Sequence, residues 1–299
     1  MPPNFGHLAA KELLKEVADL FRNKQIFFSL HNHVVFVCGG NHQRSLRNSF
    51  IKYAKNNHKE FRVFRAEDAV KDLLFHNNPE FVDVGEFEGL IASVFDSILI
   101  FPEGPGSIAE LGFFSQNEVI RKKTLVVNWL EYQVDSFINL GPVTLIDKDS
   151  IFRPTIYLGN KKNPEFKLVV DRLLKYPKSR REAFKYQNYP KLSQRERLIV
   201  TFEIIFICKA IEIDNLAFLI SYVFWSVDKN ELKRLVSILC AADYVRRDVL
   251  NDQYLLPNVA VPHFLEYEHF VTDAITAKIL FFYSKYDSIS SEVFRRNAK

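Results

Sequence analysis

Four short apolar runs, Val34–Cys38, Phe61–Phe64, Ser97–Phe101 and Thr124–Asn128, alternate with stretches of helical periodicity, and this constrains the fold more than any other feature. Apart from Arg62 in the second, the runs lack polar alternation, as in strands buried on both faces, and strands of that kind separated by helices build a parallel sheet covered on both sides. The intervening helices are expected at about Gln43–Asn56, Ala69–Phe75, Gly85–Phe95 and Ile108–Ile120, with Val143–Ile146 as a fifth strand. Residues 8–23, with apolar positions three and four apart, read as an amphipathic helix. Residues 1–150 are thus expected to form an α/β domain, a Rossmann- or flavodoxin-like parallel sheet flanked by helices.

The second half reads differently. Residues 151–190 form a basic connector, opening on Pro154, Gly159 and Pro164. Helices follow at 192–211, 214–226 and 228–241, the last capped by Asp228, and Tyr244–Val249 with Gln253–Leu256 reads as a hairpin. This order outlines a mostly helical, winged-helix-like C-terminal domain over 191–299, whose third helix carries few charges and suits protein contacts as well as groove reading. One long helix is expected over 263–292, with a frayed tail from Ser290 to Lys299.

Charge is divided unevenly. Residues 1–150 hold 16 Lys/Arg against 19 Asp/Glu, and residues 151–299 hold 24 against 17, so the net +4 comes from the second half. The excess is dense around Lys178, Arg180, Arg181 and Lys185, among Tyr176, Phe184, Tyr186 and Tyr189. Basic residues mixed with aromatic rings suit a phosphate backbone and unstacked bases, and a solvated linker would look the same. Three scattered cysteines, Cys38, Cys208 and Cys240, suggest neither a disulfide framework nor a CxxC metal site. His31, His33 and His42 repeat no ligand spacing, and no metal is expected. The first residues lack a basic region before an apolar core, and Glu203, Lys209, Glu212 and Asp214 interrupt the apolar segment 199–227. A cytoplasmic protein without membrane insertion is expected.

Candidate chemistry gathers where strands end, since open α/β sheets place ligands there. The first strand runs into Cys38, Gly39 and Gly40, the second into Glu67 and Asp68, and the third into Pro102, Gly106, Ser107 and Glu110. Paired glycines allow close approach of a ligand, and Arg44 or Arg47 could add charge for a phosphate. A carboxylate after the second strand can accept hydrogen bonds from ribose hydroxyls, whereas Asp68 could equally cap a helix. Glu110 in a helical first turn can attack a sugar carbon or steady positive charge on it, with Glu88 or Asp68 assisting. The same segment also fits a capping box, Ser107 capping the helix and Glu110 reaching back to it. Cys38, inside an apolar strand, reads as a small hydrophobe.

The segments Val34–Gly40, Arg65–Asp68, Phe87-Glu88, Phe95–Ser115 and Phe137–Val143 resemble, in order, the nucleoside 2-deoxyribosyltransferase-like effectors encoded beside bacterial retron reverse transcriptases. The resemblance covers most of residues 34–145 and implies a toxic N-glycosidase in antiphage defence. It implies NAD, cut between nicotinamide and ribose, or a related nucleotide as substrate, with no further cofactor. It places Glu110 on the catalytic glutamate and Asn139 on a position that completes a neighbouring subunit's site. The deoxyribosyltransferases carry a tyrosine on the first strand where Phe36 stands here, which favours a glycohydrolase. The implied partners are the reverse transcriptase and its multicopy single-stranded DNA, an RNA–DNA hybrid, in a homo-oligomer or higher assembly. The alternatives are a nucleoside or nucleotide deoxyribosyltransferase, a phosphoribohydrolase, and a non-enzymatic winged-helix DNA-binding regulator.

Overall fold

The computed structural model describes residues 4–29, 34–58, 62–77, 83–175, 182–268 and 271–298. The chain divides into two compact units that interleave in sequence. One comprises residues 33–67 and 82–178, the other residues 1–32, 68–81 and 179–299. They therefore differ from the sequential segments 1–150, 151–190 and 191–299 expected above.

The first unit is built on five parallel strands, β1 (Val34–Cys38), β2 (Arg62–Phe64), β3 (Ser97–Ile100), β4 (Thr124–Trp129) and β5 (Ile156–Leu158), in the order β2-β1-β3-β4-β5. Its helices include α1 (Leu46–Asn57), α3 (Val84–Val94), α4 (Pro105–Gln116) and α5 (Phe166–Leu174); α2 (Ala66–Asn77) starts here and has most of its residues in the other unit. Strand burial explains the unbroken apolar runs. Val35, Val37, Leu99, Leu125 and Val127 pack with Phe50 of α1 and Val169, Val170 and Leu173 of α5 in one cluster. Phe36, pointing to the opposite face, meets Phe64 and Phe114 edge-on at 5.8 and 6.1 Å.

Two expectations fail in this unit. Val143–Ile146 is not a strand: residues 139–143 form a π-helical turn continuing into the helix Thr144–Asp149. The fifth strand is Ile156–Leu158, inside the expected connector, pairing Val127 with Ile156 and Trp129 with Leu158. Three residues between Pro154 and Gly159 carry too short a pattern to be seen locally, and pairing with β4 makes them a strand.

In the second unit α6 (Gln194–Cys208), β6 (Ile211–Glu212), α7 (Ile213–Phe224), α8 (Lys229–Ala241), β7 (Val245–Arg247) and β8 (Tyr254–Pro257) follow one another, with an antiparallel sheet in the order β6-β8-β7. Asp228 caps α8 by accepting from the amides of Asn230 and Glu231. The amphipathic helix Lys11–Asn23 belongs to this unit, burying Leu13, Leu14, Val17 and Phe21, with the Phe21 ring 5.1 Å from Phe224. The single helix expected over 263–292 is instead a strand, Leu265–Glu266, paired with Phe27–Phe28, and two helices, Val271–Tyr286 and Ser288–Asn297. Asp287 breaks the run by capping Ser290. The tail is held by Val293, which is buried, and by Arg296 and Asn297, both bonded to Asp248.

The basic segment also changes its meaning. Lys178, Arg180, Arg181 and Tyr176, like His31 and His33, lie outside the described residues. Lys185 is exposed, but the rings beside it face inward. Phe184 and Tyr189 are buried, and Tyr186 stacks on Phe224 at 5.6 Å while its hydroxyl donates to the Val223 carbonyl. Phe184 and Tyr189 are core, and Tyr186 is half-buried with one face covered by Phe224. No helix among the described residues is long and apolar enough to cross a membrane.

Candidate active site

The strand order reverses between β1 and β3, and an open sheet leaves a crevice beyond the strand ends at that point. Both carboxyl ends there carry the glycine-rich turns singled out in the sequence. After β1 the chain passes Gly39 and Gly40 into α1, capped by Ser45, whose Oγ accepts from the Asn48 amide at 3.1 Å. Gly39 is required by close packing, since a Cβ there would lie 2.8 Å from the Cβ of Arg47. Arg47 is buried; its Nη1 donates to Glu67 Oε1 at 2.6 Å, its Nη2 donates to Asn41, and its Nε has no hydrogen-bond partner.

After β3 the turn holds a second carboxylate that the sequence reading overlooked. Glu103 accepts from the amides of Leu46 at 2.6 Å, Arg47 at 3.1 Å and Gly40 at 3.3 Å. Arg47 therefore serves carboxylates of this chain, through both its amide and its guanidinium. A glycine loop and helix N-terminus with no lysine beside them, facing a glutamate just past a neighbouring strand, were the available signal.

The capping question at α4 is settled by Ser107. Gly104 is the cap residue and Ser107 sits three positions on, its Oγ accepting from the amides of Glu103 and Gly104 at 3.0 and 3.1 Å and donating to the Gly104 carbonyl. That uses the hydroxyl's one donor and both acceptor sites. Ser107 thus takes the position given to Glu110 in the expected capping box, and Glu110, one turn further along, has no part in the cap.

Glu110 instead accepts a hydrogen bond from the Cys38 thiol, and its Oε2 is buried without a partner. Its pKa is raised from 4.5 to about 8, first by burial and then by the charges of Glu88 and Glu67; Arg47 and the Cys38 bond oppose the shift. Glu88, on α3, is also pushed up, by burial and then by Glu67. Glu67 has a buried oxygen, Oε2, with no partner. Cys38 is held well above the usual thiol range by burial and by Glu110 and Glu88, so it remains a neutral thiol.

The other expected site residues take several places. Pro102 lies on the β3–α4 turn, and Gly106, exposed, is the second residue of α4. Asp68 falls inside the first turn of α2, past the cap position. The side chain of Asn139 donates to the carbonyls of Tyr132 and Val134 at 2.6 and 2.7 Å, fastening the loop after β4. Glu110, Glu88, Glu67, Arg47 and Cys38 thus form one coupled group within the first unit, with unfilled polar atoms on Glu110, Glu67 and Arg47. Buried polar atoms without partners are rare in folded chains and mark places where a ligand can supply the missing bonds.

The model of the STM3845 retron effector protein matches residues 43–247, more than half of the chain. This chain belongs to the STM3845 retron effector family. Two Escherichia coli proteins are similar to it. One, named "Retron Ec86 putative ribosyltransferase/DNA-binding protein", is 36% identical over 118 residues, covering 38% of this chain and 37% of that protein. The other, named "Retron Ec73 putative ribosyltransferase/DNA-binding protein", is 25% identical over 223 residues, covering 67% of this chain and 71% of that protein. The chain thus spans little over a third of the first relative's length in the matched region.

Proposed function

We propose that this retron effector breaks an N-glycosidic bond through Glu110, with NAD as substrate, and that it is the toxic arm of an antiphage system controlled by the reverse transcriptase and its multicopy single-stranded DNA. The observation that carries the reading is the Glu110 carboxyl, withdrawn from water at the switch point with one oxygen unbonded and two more carboxylates near enough to raise its pKa. Burial of this kind costs stability and is concentrated at functional sites. The family and the names of the two relatives point the same way.

The chemistry follows from the charges. Glutamates outnumber the one cation of this group, Arg47, so once Glu110 gives up its proton to solvent the group attracts a pyridinium-bearing ribosyl compound. A cation beside Glu110 favours its ionised form, so substrate binding would itself generate the nucleophile. The carboxylate oxygen then bonds to C1′ as the bond to the ring nitrogen breaks; the electron pair neutralises the pyridinium, and nicotinamide leaves without needing a proton. The unbonded oxygen of Glu67 can accept a sugar hydroxyl. Water next attacks C1′, the ester bond to Glu110 breaks, and the water's proton passes to a neighbouring carboxylate. A second base in place of water would give transfer.

We also read residues 194–257 as a winged-helix module, from the α-β-α-α-β-β order and the strand order β6-β8-β7. Leu232, Leu235, Val236, Ser237, Ile238 and Leu239 of α8 are all buried, so this face of the helix packs within the chain and is not open to a groove. Incubating the full chain, alone and with the transcriptase and its DNA, with NAD and with separate nucleosides and nucleotides tests the enzyme reading. Nicotinamide released from NAD by the wild type and not by Glu110→Gln is expected. No base from any substrate under either condition would overturn it.

A further inference from the structure

We infer that Glu103 is an internal anion standing in the place of a ligand phosphate, and that it sets specificity by closing the first glycine loop to phosphate groups. In doubly wound folds the first strand–glycine loop–helix unit holds phosphate with free backbone amides. Here every such amide of the first turn is spoken for. Leu46 and Arg47 donate to Glu103, Asn48 donates to the Ser45 hydroxyl, and Ser49 donates to the Ser45 carbonyl. Gly40, on the loop itself, also donates to Glu103.

The plug is braced from both sides. The Glu103 amide is fixed by the Phe101 carbonyl at 2.8 Å and by the Ser107 hydroxyl at 3.0 Å. Opposite it, Gly39 leaves room only by lacking a side chain, since a Cβ would come within 3.2 Å of Glu103 Oε1. An incoming phosphate would have to displace a carboxylate that already supplies the negative charge. The crevice therefore selects a ribosyl compound by its sugar and base, and any phosphate on that compound lies off this loop. The inference rests on the glycosidase reading only in taking the crevice as the substrate site.

The test titrates the full chain with inorganic phosphate while following the amide resonances of Gly40, Leu46 and Arg47. The wild type is expected to show no saturable shift at these amides. Glu103→Ala frees them, and phosphate is expected to bind about ten-fold tighter or more, as suits charge-assisted bonds to several amides, and to raise the melting temperature of the variant but not of the wild type. Phosphate-dependent shifts at those amides in the wild type, a measurement that needs no variant, would overturn the inference. So would a folded Glu103→Ala that ignores phosphate. Neither readout involves turnover, so a chain that releases no base leaves this result standing.

Discussion

Glu203 is a fully buried carboxylate and Glu110 a partly buried one with its Oε2 shut off from water, and the two units treat them in opposite ways. Glu203, fully buried on α6, accepts from the amides of Phe264 and Leu265 at 2.8 and 3.0 Å and from the Tyr267 hydroxyl at 3.1 Å, with His263 Nδ1 2.9 Å away. Glu110 has the Cys38 thiol, one oxygen with no partner, and other carboxylates that oppose its charge. A saturated carboxylate fastens a loop to a helix. A starved one holds its proton too tightly and is poised to exchange that strain for a ligand.

The largest effect expected from this contrast is on catalysis. Glu110→Gln should lower the rate of base release by roughly 10³-fold or more, as loss of a nucleophile does, while leaving the chain folded. The same substitution has a pH signature. The folded chain keeps the Glu110 proton up to about 8, whereas an ordinary carboxyl releases it near 4.5. Between those values the folded state binds more protons than the unfolded state, so this group's contribution to stability is full at low pH and falls as pH rises. Melting curves from pH 5 to 9 should therefore decline more steeply for the wild type than for Glu110→Gln, and equal slopes would break the comparison.

Glu203→Ala should act on stability instead. It strands its donors in the core and is expected to cost about 3 kcal/mol or more, read as a lower urea midpoint. A smaller loss than that of an ordinary surface substitution would show that the network is not a fastening. Glu67→Gln lies between the two cases. It weakens the bond to Arg47 and removes one negative charge, so KM should rise about ten-fold with kcat less affected, the scale of one charge-assisted bond. A kcat loss matching that of Glu110→Gln would sharpen the picture by making Glu67 part of the chemistry. Ser107→Ala should cost only about 1 kcal/mol, the usual worth of a helix cap, with base release retained. Loss of release in a folded Ser107→Ala would mean that the cap also aims Glu110.

Legibility in the sequence followed the range of the interactions. The strands at 34–38, 97–100 and 124–129 were readable because burial on both faces leaves an unbroken apolar run. The cap at Asp228 was readable because it acts on residues two and three positions away. Ile156–Leu158 was not, because its strand character comes from pairing with β4, and Asp287 splits an otherwise continuous helical pattern with one side chain. The aromatic rings at 184–189 misled in the opposite direction. Their spacing suited a nucleic-acid surface, and only the packing of Phe184 on Phe21 and of Tyr186 on Phe224 shows these rings turned inward.

At the site the same division holds. By itself the sequence determined the parallel α/β architecture of the first unit and the convergence of strand-end residues Gly39, Glu67 and Glu110, because strand burial and turn chemistry are written in neighbouring residues. Which side chain would cap, which would plug and which would be left unbonded was decided only in the tertiary structure. Ser107, Glu103 and Glu110 compete for amides and space with partners as far away as Gly40 and Leu46, and a hydrogen bond's donor is known only when the chain has brought it within reach.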